Sequence, residues 1–144
     1  MKSKTIYNTE DIKRKTAVPA EDIIRILQQS EKVLVVSHVD PDGDALGTQL
    51  AFADYLRQNS KTVFLVREDD IPDKFLFLPG LDQIKHIHDY HDDFKVDAAV
   101  VLECPRLSRG GNIINRLDES CKLINIDHHQ DNEGYYNFHR QHYQ

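Results

Sequence analysis

VLVVSHVDPDGDALG, residues 33–47, decides the fold. Four consecutive apolar residues, three of them β-branched, are typical of a strand buried on both faces of a parallel sheet. The run stops at a Pro-Asp-Gly-Asp turn, and behind it Leu46, Leu50, Ala53 and Leu56 recur at helical spacing up to Asn59. TVFLV (62–66) follows as a second strand, so strand, helix and strand make one βαβ unit. The bland reading of PDGD alone is a turn, with Asp44 as a helix N-cap.

Working outward, Pro19 suits a helix start, and Ile23, Ile24, Ile26 and Leu27 continue at helical spacing. Residues 1–18 are polar and read as an N-terminal arm. Downstream, residues 72–80 (PDKFLFLPG) predict one helical turn closed by Pro79-Gly80, and IKHI (84–87) predicts a short edge strand. AAVVL (98–102) and KLINI (122–126) predict buried strands, and residues 112–117 a short helix. The expected fold class is α/β: a mainly parallel five-stranded sheet of order 2-1-3-4-5, flanked by helices. Its switch point falls between the first and third strands. The last ten residues, YYNFHRQHYQ, show neither strand nor helix period.

Composition works mainly by exclusion. The 144 residues carry 18 basic and 24 acidic side chains, a net charge of −6. A protein that neutralises many phosphates of a long duplex is usually basic, so long duplex nucleic acid is not an expected partner. No apolar run approaches the ~20 residues of a membrane span, so no membrane partner is expected either. The N-terminus lacks the hydrophobic stretch of a secretory signal. The two cysteines, Cys104 and Cys121, form no C-x-x-C pair and read as thiols of a reducing, cytoplasmic protein.

Three strong strands are followed at once by metal-binding side chain types: His38, Asp42 and Asp44 after the first, Glu103 after AAVVL, and Asp127, His128 and His129 after KLINI. Open parallel sheets bind ligands beyond the carboxyl ends of their strands. The three clusters are therefore expected to converge. Carboxylates gathered without a cation would raise one another's pKa and oppose folding. Two divalent ions would remove that difficulty, and carboxylate mixed with imidazole favours Mn²⁺, with Mg²⁺ or Co²⁺ as substitutes. The H-x-H-x-x-H run of His86, His88 and His91 is flanked by Lys85, Asp89, Asp92 and Asp93 and reads as a solvated edge. Tyr135, Tyr136, Phe138 and Tyr143 could stack on bases or pack on a further domain.

HVDPDGDALG (38–47) resembles the first motif of the DHH phosphoesterase superfamily, and IDHH (126–129) resembles its name-giving motif. VVLECPRLSRGG (100–111) is similar to the second, in which a strand ends in an acidic ligand and an arginine follows six residues on. The resemblance is to the RecJ-like branch, the NrnA type of nano-RNase and 3′-phosphoadenosine 5′-phosphate phosphatase, and covers about residues 20–137. It implies that His38 and Asp42 hold one metal, Asp44 and His128 the second, and that Glu103 bridges both. His129 would contact the scissile phosphate, with Asp127 orienting it, and Arg109 would contact substrate or brace its loop.

The resemblance implies hydrolysis of short single-stranded RNA or a nucleotide phosphate by a water that the two metals activate. Pyrophosphate or cyclic dinucleotide hydrolysis and a non-catalytic metal- or nucleotide-binding module are the alternatives. Two departures stand out. The usual second-motif ligand is aspartate and here is Glu103, and neither a fourth-motif aspartate nor a C-terminal substrate domain follows. The domain division expected is an arm (1–18), an incomplete DHH domain (19–137) and an unassigned tail (138–144). The chain reads as a fragment or a natural truncation, and the exposed cleft as a surface that could pair two copies into a homodimer.

Overall fold

The computed structural model describes residues 13–14 and 19–136. Among the described residues, seven strands and two α-helices follow in chain order: β1 (Lys13–Arg14), α1 (Ala20–Gln29), β2 (Lys32–Ser37), α2 (Gly43–Gln58), β3 (Thr62–Arg67), β4 (Lys85–His86), β5 (Ala98–Leu102), β6 (Lys122–Ile126) and β7 (Tyr135–Tyr136). Short 3₁₀ turns fill the connections, among them Asp73–Phe75, Leu107–Gly110 and Asn112–Arg116.

The main sheet runs β4-β3-β2-β5-β6, and every pairing is parallel. Counted along the chain as one to five, its strands stand in the order 3-2-1-4-5. The four long strands keep their expected relation. The difference from 2-1-3-4-5 lies in the short β4, which joins the outer edge of β3 through Val66–Lys85 and Arg67–His86. Two polar residues cannot fill a central position buried on both faces, so the edge is where such a strand belongs. The switch point accordingly falls between β2 and β5.

Period-2 alternation sends each central strand into two cores. Val33 and Val35 of β2, Ala98, Val100 and Leu102 of β5, and Ile124 of β6 face one side, where Leu27 of α1 and Leu46, Ala53 and Leu56 of α2 cover them. Leu34, Val36, Ala99, Val101 and Leu123 face the other. There the cover is Phe94, Val96, Ile113, Ile114 and Leu117, from loops and 3₁₀ turns rather than long helices. The middle of β2 and all of β5 are buried, which explains why both read as continuous apolar runs.

Gln49, which the sequence reading passed over, lies buried in α2. Its Nε2 donates to the carbonyls of Val35 (3.1 Å) and Val66 (2.9 Å), tying the helix to β2 and β3 at once. Lys13–Arg14 of the arm pairs antiparallel with Tyr135–Tyr136 in a separate two-stranded sheet, so the first two of the ten residues without visible period form a strand. Backbone pairing supplied by a distant segment leaves no periodic trace in so short a stretch. Phe138, His139, His142 and Tyr143 lie outside the described residues.

Candidate metal and phosphate site

The carboxyl ends of β2, β5 and β6 lie side by side, because Ser37 pairs with Leu102 and Leu102 with Ile126. The residues that follow are therefore adjacent. Glu103 comes first after β5, with a left-handed backbone (φ 53°) and its N–H still donating to Ile126 O at 3.1 Å. A non-glycine residue there costs roughly 1–2 kcal/mol, and such strain concentrates at functional sites. The turn brings Glu103 Oε2 to 2.8 Å from His128 Nε2. The same nitrogen lies 3.5 Å from Asp44 Oδ2, so residues from all three strand ends meet at one imidazole. Ligand atoms of Glu103, His128 and His129 all lie within 4.8 Å of one another.

Burial pushes the Glu103 carboxyl above its ordinary range, and the charges of Asp44 and Asp127 push the same way, against the pull of His128. A carboxylate under that stress gains from a nearby cation.

Beside it runs a polar chain. His129 Nδ1 lies 2.5 Å from Asp127 Oδ1, and Asn132 Nδ2 donates to Asp127 Oδ2 at 2.7 Å and to Asn125 Oδ1 at 2.8 Å. Asn125 Nδ2 in turn donates to the carbonyls of Val101 and Cys104, both at 3.1 Å. Burial of Asp127 acts to raise its pKa, but the bonds from Asn132 and His129 outweigh it and hold the carboxyl below its ordinary value. The bond to Asp127 in turn raises the His129 pKa. Asn125 and Asn132 carry this support and were missed in the sequence. Neither stands in a motif, and only the fold joins them.

The first motif is divided. Asp42 rather than Asp44 is the N-cap of α2, its Oδ1 accepting from Ala45 N at 2.8 Å. Asp44, within the first turn, faces His128. His38 is buried, and its Nδ1 sits 2.6 Å from Val39 O. A carbonyl only accepts, so Nδ1 carries the proton and Nε2 keeps its lone pair for a ligand. Arg109 Nη2 stands 3.5 Å from the same Nδ1, a contact between two donors and not a hydrogen bond, and Arg109 O accepts from Val39 N at 2.8 Å. These contacts gather Asp44, Glu103, His128 and His129 into one group, pair His38 with Arg109, and leave Asp42 engaged with its own helix. His86 and His88 form a local turn, His86 Nδ1 accepting from His88 N at 3.1 Å. That bond uses the lone pair a metal would need.

The sequence model of the DHH family, N-terminal domain, matches residues 32–143. The bifunctional oligoribonuclease and PAP phosphatase NrnA of Bacillus subtilis (strain 168) is 27% identical over 116 residues, covering 79% of this chain and 34% of that protein. The crystal structure of an exopolyphosphatase-related protein from Bacteroides fragilis superposes with a TM-score of 0.70 at 24% identity, over 81% of this chain and 37% of that one. That likeness speaks for the fold. The chain spans about a third of the length of these relatives. With the family's motifs at the ends of β2, β5 and β6 and its domain matched across most of the sequence, the chain belongs to the DHH family and carries its N-terminal domain.

Proposed function

We propose that this domain is the metal-holding half of a phosphoesterase that cleaves short oligonucleotides or nucleotide phosphates. The observation that carries the reading is the meeting of Glu103, His128 and His129 within 4.8 Å, with Asp44 beside them. The imidazoles of His128 and His38 with the carboxylates of Glu103, Asp44 and Asp42 form a donor set suited to Mn²⁺ or a similar ion, and the upward push on the Glu103 pKa is a stress that a cation relieves. His128 and Asp44 would hold one ion, His38 through Nε2 and Asp42 another, with Glu103 between them. Bound there, the ions would activate a water and offset charge on the phosphoryl oxygens.

The chain's own groups supply the rest. Asp127 fixes Nδ1 of His129 and raises the ring's affinity for its second proton. His129, whose Nδ1 is taken up by Asp127, is assigned to the phosphate, where an Nε2–H would donate to a phosphoryl oxygen. Arg109, beside His38, adds a fixed cation for the same anion. The net charge of −6 points to a small substrate rather than a long duplex. The oligoribonuclease and PAP phosphatase activities in the relative's name point the same way. A cytoplasmic setting suits two buried cysteines that form no disulfide.

The test is hydrolysis of a 5′-phosphorylated dinucleotide and of a nucleotide 3′,5′-bisphosphate with Mn²⁺ present. Expected are product release that EDTA abolishes and a loss of about 10²-fold or more in His129→Ala. Metal binding with no turnover of either substrate would favour a binding module instead.

A further inference from the structure

We infer that Glu68 is a positioning residue, whose carboxylate clamps the Arg109 loop against the end of β2 and so sets where Arg109 stands beside His38. The inference deepens the phosphoesterase reading, on which the substrate role of Arg109 rests.

Glu68 is the first residue after β3, on the strand next to β2. It grips one residue at two points. Its Oε2 accepts from Asn112 N at 2.7 Å, and its Oε1 accepts from Asn112 Nδ2 at 2.6 Å. Bonds to an ionised acceptor in this paired geometry are stronger than neutral ones and fix direction as well as distance. The preceding residue, Gly111, has φ 74° and ψ −165°, a region open essentially to glycine. A Cβ there would fall 1.9 Å from Glu68 Oε2 and 2.9 Å from Val39 Cγ1. Glu68 Oε2 and the Val39 side chain thus fill the space a side chain at position 111 would take, so the loop lies this close to both only because that residue is glycine.

Two residues back along the loop, Arg109 O accepts from Val39 N at 2.8 Å. Val39 O in turn accepts the Nδ1 proton of His38, and Arg109 Nη2 stands 3.5 Å from that nitrogen, in contact with the ring but not hydrogen-bonded to it. The chain of contacts runs from Glu68 through Asn112 and Gly111 to Arg109 and on to Val39 and His38. Arg109 is exposed and its side chain is long, so its placement depends on its backbone being held. Such holding is what positions a substrate-binding group within the fraction of an ångström that catalysis needs.

The clamp depends on shape and hydrogen bonding more than on charge. A glutamine in place of Glu68 could accept from Asn112 N through its oxygen and donate through its amide to Asn112 Oδ1, once the Asn112 amide turns over. Glu68→Gln should therefore rescue what Glu68→Ala loses.

The test measures amide hydrogen exchange on the full chain, with dinucleotide hydrolysis alongside. Glu68→Ala should speed exchange at Val39 by about tenfold while the Val100 amide in the centre of β5 is unchanged, and Glu68→Gln should restore the slow rate. In hydrolysis, Glu68→Ala should raise KM about as much as Arg109→Ala, and the double variant should be no worse than Arg109→Ala alone. Unchanged Val39 exchange in Glu68→Ala, or additive effects of the two substitutions, would overturn the clamp. If Glu68→Ala loosens Val100 as well, Asn112→Ala, which removes one bond of the pair, carries the same comparison. A wild-type chain that leaves the dinucleotide intact defeats the phosphoesterase reading, whereas the exchange rates judge the clamp by themselves.

Discussion

Glu103 bears two costs at once: a left-handed backbone, and a carboxylate that burial and Asp44 drive toward its neutral form. The sequence located this residue by its place after a buried strand. It could not reveal the left-handed turn, since nothing local marks that conformation for a glutamate. Asp97, at the opposite end of the same strand, shows the reverse case. Its Oδ2 accepts the backbone N–H groups of Lys32 and Glu31, both at 2.9 Å, and these bonds hold its carboxyl below the ordinary value. Because the folded-state pKa is lowered, the stabilisation is present above the unfolded value of about 3.9 and is lost as pH falls through the folded one. Asp97 is exposed, so the discounted contribution is about 1 kcal/mol. Urea unfolding should find Asp97→Ala weaker by that amount at pH 7, with the gap closing as the pH falls below the ordinary carboxylate range and through the lowered pKa. A gap independent of pH would mean that packing, not the carboxylate, is what is lost.

At the scale of elements, α2 joins fold and site through its first residues. Asp42 caps the helix, and Asp44, within its first turn, faces His128. The sequence reading placed the cap at Asp44. A D-G-D turn offers two equivalent acceptors, and only the actual helix start at Gly43 separates them. The strands were legible because burial on both faces writes an unbroken apolar run. The 3₁₀ turn over Leu107–Gly110 left no such trace, being too short to show a period. Capping and metal roles at Asp42 are separable. Asp42→Ser keeps a capping oxygen and should retain stability without metal, whereas Asp42→Ala should lose about 1 kcal/mol. Both should weaken Mn²⁺ binding, as read by calorimetry. If Asp42→Ser binds Mn²⁺ as well as wild type, Asp42 serves the helix alone.

Across the whole molecule, the site exists because parallel pairing in register delivers three sequence-distant ends to one edge. Their places at the carboxyl ends of three expected parallel strands predicted that convergence, and Asp44, Glu103 and His128 meet there. What the sequence left out are the supports that only tertiary contact creates: Asn125 and Asn132 behind Asp127, and Glu68 behind Arg109. The central claim is that these ends form a divalent metal centre. Thermal unfolding across a Mn²⁺ titration tests it most directly, because a ligand bound only by the native state stabilises it by about 2.7 kcal/mol at a hundredfold excess over Kd. Glu119, an exposed residue between Asn112–Arg116 and β6, supplies the control. The melting temperature should rise with Mn²⁺ in wild type and in Glu119→Gln, and rise far less in Glu103→Gln. Equal gains in the two variants, or no gain in wild type, would contradict a metal centre at Glu103.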